Sequence, residues 1–437
     1  MIKNMGSKQD VQMMRKTNMR IFPIYKRLAW DYLFFYTIDF LFLTQVKGIS
    51  SADVMLKSTF YAFFSIILQI PANIVVEFLG RKNSLILGNI LSCFYMVIIM
   101  MSRSLFDLII AEAFSAMAFS IKNVAEPSLL NESIPPSRYK SQIFSKISAK
   151  GASGYYILSS ISKIIAGALF TINGYLPIIC SLAILIIVTI LSIGFIEPIK
   201  KKKKGKATLM YMEEIKNVKD GFAFILKSER LKALILCASL IYALLSVLQT
   251  YHVSLQEDIG LSSFAIGIIS AIACMVSAYA SKRQEQFHNR FKNKSLITIS
   301  MILSISTIIS GIFGIEANKY IVFLLIVILM LFAYNFGLGM FHTIIDKYLR
   351  NFSNEKIDTK IFSAYSLFRG LFRMIACVVA SFLLDKMATT YSMIVIGVIF
   401  TIVFILMEKY MKTRVGLKPE QYSKEEVKYD ELKQINK

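Results

Sequence analysis

The chain is cut into apolar runs of about 20 residues, each long enough to cross the hydrocarbon core of a bilayer as a helix. They fall at 28–46, 56–79, 84–102, 105–128, 146–170, 175–196, 231–251, 261–281, 295–315, 319–341, 361–384 and 391–410. A water-soluble fold has no way to cover a dozen such segments, whereas a membrane satisfies each one as a helix whose backbone bonds internally. Composition agrees: 55% of the 437 residues are hydrophobic and only 18% are charged. A soluble chain needs about a quarter charged residues to cover its surface. The predicted class is an all-α integral membrane protein with about twelve transmembrane helices.

The net charge of +22 does not point to nucleic acid, because the cations sit at the ends of apolar runs and form no binding stripe. Instead the loops alternate. One side carries Arg81 and Lys82, Arg138 and Lys140, Lys200 to Lys204, Lys282, Arg283, Arg290, Lys292 and Lys294, then Lys347, Arg350, Lys356 and Lys360. The other has short links with Lys47, Arg103, Lys319 and Lys386, and acids at Glu257 and Asp258. The positive-inside rule places the first set in the cytoplasm, and with an even number of spans both termini are expected there. The basic first 27 residues lack a cleavable signal, so the first run is expected to stay as an anchor. Cys93, Cys180, Cys237, Cys274 and Cys377 are scattered singly and read as small buried hydrophobes. His252, His288 and His342 are too dispersed for a metal site. No catalytic or metal constellation has usable spacing, so neither an enzyme activity nor a cofactor is expected.

Glu197-Pro198, the lysine run and a polar stretch up to Arg230 divide the chain. The expected organisation is a basic cytoplasmic segment 1–27, a six-helix half 28–197, a cytoplasmic linker 198–230, a second six-helix half 231–411 and a charged cytoplasmic tail 412–437. In the linker, Ile215, Val218, Phe222, Ile225 and Leu226 recur at helical spacing, the pattern of an amphipathic helix on the cytoplasmic face. The lysines suit anionic headgroups. The halves echo one another: Gln142-Ile143-Phe144-Ser145 opens the fifth run and Lys360-Ile361-Phe362-Ser363 the eleventh, each after a polar loop. The matching positions point to a duplicated six-span unit.

Between the second and third runs the chain reads Asn73-Ile74-Val75-Val76-Glu77-Phe78-Leu79-Gly80-Arg81-Lys82-Asn83-Ser84-Leu85. Gly80 sits where a helix end needs tolerance of left-handed geometry, and the two cations follow at the negative end of the helix dipole. Glu77 lies one turn before Arg81, in the favoured acid-before-base order. This stretch resembles the cytoplasmic loop signature of the major facilitator superfamily, Gly-x-Leu-Ala-Asp-Arg-x-Gly-Arg-Lys-x-x-Leu. Glu77 stands for the Asp, Gly80, Arg81, Lys82 and Leu85 match, and Asn73 replaces the first Gly. The second copy expected between the eighth and ninth spans is eroded to Phe287-His288-Asn289-Arg290-Phe291-Lys292, which has no Gly. The fourth run, with Ser120, Ala125, Leu129, Leu130, Glu132 and Ser133, is similar to a group of bacterial facilitator transporters, and Glu197-Pro198 fits that group. The resemblance implies the major facilitator fold, two pseudo-symmetric six-helix halves about a central pathway, in a bacterial cytoplasmic membrane.

Ionisable groups inside a span cost several kcal/mol unless paired or hydrated, so each is a functional candidate. At about 1.5 Å of rise per residue, Asp39 and Arg373 fall near mid-membrane, with Arg369 one turn below Arg373. Glu112 and Lys163 fall in the outer half, where they can meet. Static ion pairs, Asp39 with an arginine and Glu112 with Lys163, are the alternative to a functional role. Lys122 and Glu126, one turn apart near the cytoplasmic surface, are secondary candidates expected to satisfy one another. Asp31 and Lys146 are placed to snorkel. Asn335, a further secondary candidate, allows close packing or local unwinding with Gly337 and Gly339, packing being the favoured use, and Trp30 with Tyr32 to Tyr36 reads as an interface belt.

The expected function is secondary active transport by alternating access, with Asp39, Glu112, Lys163, Arg369 and Arg373 along the pathway. Protons are the expected coupling ion, and the two arginines suit a small molecule that is anionic or amphipathic. Resemblance to bacterial drug exporters favours efflux by antiport. The stretch Ser160 to Ala168 lacks the Gly-Pro-x-x-Gly-Gly signature of proton-coupled drug antiporters, which leaves uptake by symport open. A transport-inactive receptor or scaffold is the alternative of another class. Asn73, Glu77, Gly80, Arg81 and Lys82 are expected to form a gate, in which Glu77 and Arg81 engage each other and the eleventh span.

Overall fold

Apolar periodicity becomes helix almost everywhere in the computed structural model, which describes residues 8–136, 139–197, 207–291, 294–352 and 358–412. Fourteen α-helices and no strand occur among the described residues. In chain order they are α1 Lys8–Ala29, α2 Asp39–Leu41 with a π-helical continuation Phe42–Val46, α3 Ser51–Leu79, α4 Arg81–Met101 and α5 Leu105–Ser133. Then follow α6 Lys140–Ile172, α7 Leu176–Ile193, α8 Ala207–Lys227, α9 Glu229–Asp258 and α10 Ser263–Phe291. The last four are α11 Ser295–Gly314, α12 Ile321–Phe352, α13 Asp358–Lys386 and α14 Thr389–Lys412. Ten of them are long and apolar enough to cross a membrane. The two remaining expected spans, 28–46 and 105–128, correspond to an interrupted helix and to α5, which carries Asp107, Glu112, Lys122 and Glu126.

Local chemistry sets the ends. A capping box starts α5: Asp107 N–H donates to Ser104 Oγ at 3.4 Å, and Ser104 N–H donates to the Asp107 carboxylate at 3.1 Å. Ser228 caps α9 in the same way, accepting from Leu231 N–H at 3.2 Å. The amphipathic pattern in the linker is helix α8, whose Phe224 and Ile225 are buried and whose Phe222 meets Phe368 at 4.8 Å between ring centres. The run Lys200 to Lys204 and the tail from Thr413 lie outside the described residues.

The described chain packs as two compact units. The first holds the residues up to Ile49, with Ile67–Met212 and Ser263–Ala271. The second holds Ser50–Ile66, Glu213–Ser262 and the residues from Ile272 onward, so α3 and α10 are each divided between the units. In the first unit, Phe22, Tyr25 and Ala29 of α1 form a core with Ala72 and Val76 of α3, Leu85 of α4, Ile121, Ala125 and Leu129 of α5 and Val188 of α7. In the second, α9 is the most enclosed helix, with 72% of its apolar window buried. There the backbones of α11 and α14 approach closely: a Cβ on Gly311 would stand 2.7 Å from the Thr390 backbone O, the close approach small residues allow between membrane helices.

The N-terminal region departs from the sequence reading. Helix α1 starts at Lys8, well before the expected boundary at 28, because its charges and apolar residues occupy different faces. The stems of Lys26 and Arg27 lie over Gly151 and Gly154 of α6, where only a hydrogen leaves room for them. The helix then stops at Ala29 and resumes at Asp39, so the run 28–46 is not one continuous span. Between them Phe34 sits at φ 68°, a left-handed conformation that costs a bulky residue on the order of 1–2 kcal/mol.

Candidate functional site

The turn after α3 is built around a carboxylate that arrives from far along the chain. Gly80 ends α3 and caps α4 at φ 85°, ψ 171°, a region open essentially to glycine alone. Glu197 takes both first amides of α4, accepting from Arg81 N–H and Lys82 N–H at 2.7 Å each. These are orphan donors at the positive end of a helix, where an anion is stabilised twice over. A Cβ on Gly80 would stand 2.5 Å from Glu197 Oε1, so the missing side chain makes room for the carboxylate.

Arg81 is 5% exposed and donates in three directions. Its Nη1 reaches Val76 O at 3.1 Å, its Nη2 reaches Glu77 Oε1 at 2.8 Å, and Nη2 and Nε reach Glu132 Oε1 at 3.3 and 3.4 Å. Asn18 ties the same end of the unit together: its Nδ2 donates to Ser133 Oγ and to Ile196 O at 2.8 Å each, and its Oδ1 accepts from Ile196 N–H at 2.9 Å. The expected Glu77–Arg81 pair is thus present. Asn73 is half-buried one turn before Glu77. Glu132, Glu197 and Asn18 complete a network in which the sequence showed only the Glu77–Arg81 link. The available signal was charge complementarity, two acids closing the fourth and sixth runs opposite a Gly-Arg-Lys turn.

A second cluster surrounds the break in the first helix. Asp31 accepts from Tyr155 Oη and from Tyr32 N–H, both at 3.0 Å, so it caps the broken backbone from inside and does not snorkel. Tyr32 is buried, stacked on Tyr95 at 4.8 Å with its hydroxyl 3.4 Å from Ser115 Oγ, and Phe35 is buried beside it. The expected interface belt is therefore overturned for these rings: the backbone turn at Phe34 directs them inward. Trp30 alone keeps substantial exposure, stacked on Tyr155 at 5.3 Å. Asp39, half-buried at the restart of the helix, and Glu112, 4% exposed on α5, both lie within electrostatic reach of Tyr95. Lys163 on α6 lies within electrostatic reach of Asp31.

Lys122 and Glu126 do not satisfy one another as expected. Glu126 pairs with Lys26 at 2.6 Å, a partner brought in by the early start of α1. Lys122 is buried, donates to Ser92 Oγ at 3.1 Å, and stands 4.4 Å from the Phe119 ring centre and 5.8 Å from that of Tyr32. Gly88 leaves the space for its stem: a Cβ there would be 2.8 Å from Lys122 Cγ.

In the second unit, Arg369 and Arg373 lie one turn apart on α13. The Arg369 guanidinium stacks 4.4 Å from the Tyr242 ring centre, with Tyr365 at 5.9 Å, and Arg373 lies 5.0 Å from Tyr61. Arg373 is also within hydrogen-bonding reach of Tyr242 and Cys377. At Asn335, Ser277 Oγ donates to the backbone carbonyl at 2.8 Å, Ser281 Oγ donates to Gly339 O at 2.9 Å, and α12 runs on unbroken.

A multi-pass helical membrane protein whose long helices enclose both buried carboxylates and stacked guanidiniums belongs to the transporter class. The family is fixed by its sequence: the family model for the Major Facilitator Superfamily matches residues 29–351, and the chain belongs to that superfamily. No curated protein matches it. Among solved structures it is similar to the nucleoside transporter NupG (TM-score 0.68, 12% identity, 91% of this chain and 99% of that one). It is also similar to a variant of the peptide transporter POT (TM-score 0.66, 10% identity, 93% and 98%). A bacterial homologue of the human lysosomal transporter Spinster, inward-facing and unoccupied, matches with a TM-score of 0.64 at 14% identity over 94% and 99% of the two chains. At such identities the likeness shows a shared fold and nothing about substrate.

Proposed function

We propose that this transporter is a proton-coupled secondary carrier that exports a small molecule from a bacterial cell by alternating access, with both termini in the cytoplasm. The observation that carries the reading is the pair of carboxylates grouped around Tyr95: Asp39 where the first helix resumes, and Glu112 buried on α5. Carboxylates within membrane spans are rare and mark proton relays and substrate pathways in transporters. Discontinuous helices are also where transporters of many folds hold substrates and coupling ions. In this reading Asp39 and Glu112 carry protons, Lys163, Arg369 and Arg373 supply the opposing charge, and the turn from Glu77 to Lys82, with Asn73, gates the cytoplasmic side.

The test uses everted membrane vesicles with an acid interior and a pH-sensitive dye. Substrates of an exporter should dissipate the gradient with the native protein and leave it intact with Asp39→Asn or Glu112→Gln. Unchanged proton movement in both variants would sink the coupling account. Substrate accumulating together with protons in right-side-out vesicles would replace export by uptake.

A further inference from the structure

The two arginines of the second unit are arranged as a receptor. On α13 the lipid-suited residues Leu371, Ile375 and Phe382 are exposed, whereas Arg369 and Arg373 occupy the opposite side together with buried Tyr365 and Cys377. Membrane helices do not keep two like charges one turn apart without a use for them, since each costs several kcal/mol and they repel one another. Among the described residues Arg369 has no carboxylate partner. Among the described residues its positive charge is met by the rings of Tyr242 and Tyr365.

That form of stabilisation leaves a specific vacancy. A guanidinium stacked on a ring uses its π face and keeps its in-plane N–H fork unspent, and that fork matches the two oxygens of a carboxylate. Arg373, held over Tyr61 and beside the Tyr242 hydroxyl, adds a second cation one turn away. His342 of α12 is exposed, within electrostatic reach of Arg369, and its ring centre lies 6.4 Å from that of Tyr242. It offers an accessible flat surface next to the arginine fork.

We propose that Arg369 and Arg373, framed by Tyr242, Tyr61 and His342, bind the carboxylate of an organic anion whose attached planar group lies against the Tyr242 and His342 rings. The inference rests on the transporter reading in that the anion is the cargo, and it names the cargo's class. Arg369 is the primary ligand, because its fork is unused, and Arg373 raises the local positive potential. The Tyr242 ring holds the Arg369 plane in register, so its contribution survives loss of the hydroxyl better than loss of the ring.

The probe is benzoate, with benzamide as the uncharged isostere and inorganic phosphate and sulfate as non-carboxylate anions, each titrated against the thermal unfolding of the purified full-length protein in detergent. Benzoate should raise the unfolding temperature and benzamide should not. Arg369→Gln should weaken the benzoate response by roughly tenfold or more, the scale of a lost charge-assisted pair of hydrogen bonds. Arg369→Lys, which keeps the charge but not the fork, should lose most of it as well, and Tyr242→Phe should lose less than Tyr242→Leu. The proposal is overturned if benzoate does not stabilise the native protein, if phosphate and sulfate act equally well, or if Arg369→Lys binds as the native protein does. Flux in proteoliposomes separates this from the transporter reading. Benzoate binding without benzoate movement leaves the site standing and refutes carriage of this class, whereas movement of a neutral or cationic compound unaffected by Arg369→Gln refutes the site and leaves transport intact.

Discussion

At the scale of single residues, Gly80 and Glu197 are two halves of one device. The left-handed, extended backbone at Gly80 points the first amides of α4 at the Glu197 carboxylate, and the absent side chain lets the carboxylate come close. Gly80→Ala should destabilise the protein by about 1–3 kcal/mol from backbone strain alone, with the displaced carboxylate adding to it. Glu197→Gln keeps one acceptor but loses the charge at the helix terminus, so it should cost less, about 0.5–2 kcal/mol. Thermal unfolding of the purified variants in detergent checks both, and an Ala variant milder than the Gln variant would refute the pairing. Of this device the sequence showed Gly80, Glu77 and Arg81, which lie within one helical turn of each other. Glu132 and Glu197 join from 51 and 116 residues away, and no local spacing rule reaches that far. The same holds for Lys26 with Glu126: a local rule paired Glu126 with Lys122 and chose the wrong lysine.

At the scale of elements, the helices were legible and the first one was not. Long uniform apolar runs announce themselves, and the sequence runs from the second to the twelfth all correspond to helices. Helix α1 escaped because hydropathy averages around a helix: Arg20, Lys26 and Arg27 mask the apolar face made by Phe22, Tyr25 and Ala29. Its end escaped for a different reason. No Gly or Pro punctuates Trp30 to Ile38, and the break is held by tertiary contacts of Asp31 and Tyr32 that have no sequence signature. The docking of α1 on α5 through Lys26 and Glu126 can be measured directly. Lys26→Met should leave a largely buried carboxylate unpaired and cost about 1–3 kcal/mol, less than a fully buried pair because both groups keep some solvent. Adding Glu126→Gln should recover most of that loss, giving a double-mutant coupling of comparable size in chemical or thermal unfolding. Strictly additive costs would show that the pair does not fasten the helix.

At the scale of the molecule, the gate role proposed for the Glu77–Arg81–Glu132 cluster concerns exchange between conformations more than holding cargo. Its arginine is buried while Glu77 and Glu132 keep partial exposure, and it fastens α3, α4 and α5 through one guanidinium. The turn between α10 and α11, which follows Phe287-His288-Asn289-Arg290-Phe291, has no glycine in its sequence. His288 there meets Ser295 Oγ at 2.9 Å. A carrier fastened by such a cluster in one conformation should leave that fastened state in its slow step. Removing the fastening shifts populations and alters rates by an amount set by its differential energy between states, and a ligand bound elsewhere feels only the fraction of competent molecules. Glu77→Gln and Arg81→Ala should therefore lower net turnover by roughly tenfold, the usual scale of a coupling free energy, while equilibrium affinity changes by about twofold or less. Substrate exchange across proteoliposomes against binding to the same preparation measures the two separately. Equal losses in both would mean that the cluster shapes the binding site itself and does not act as a fastening.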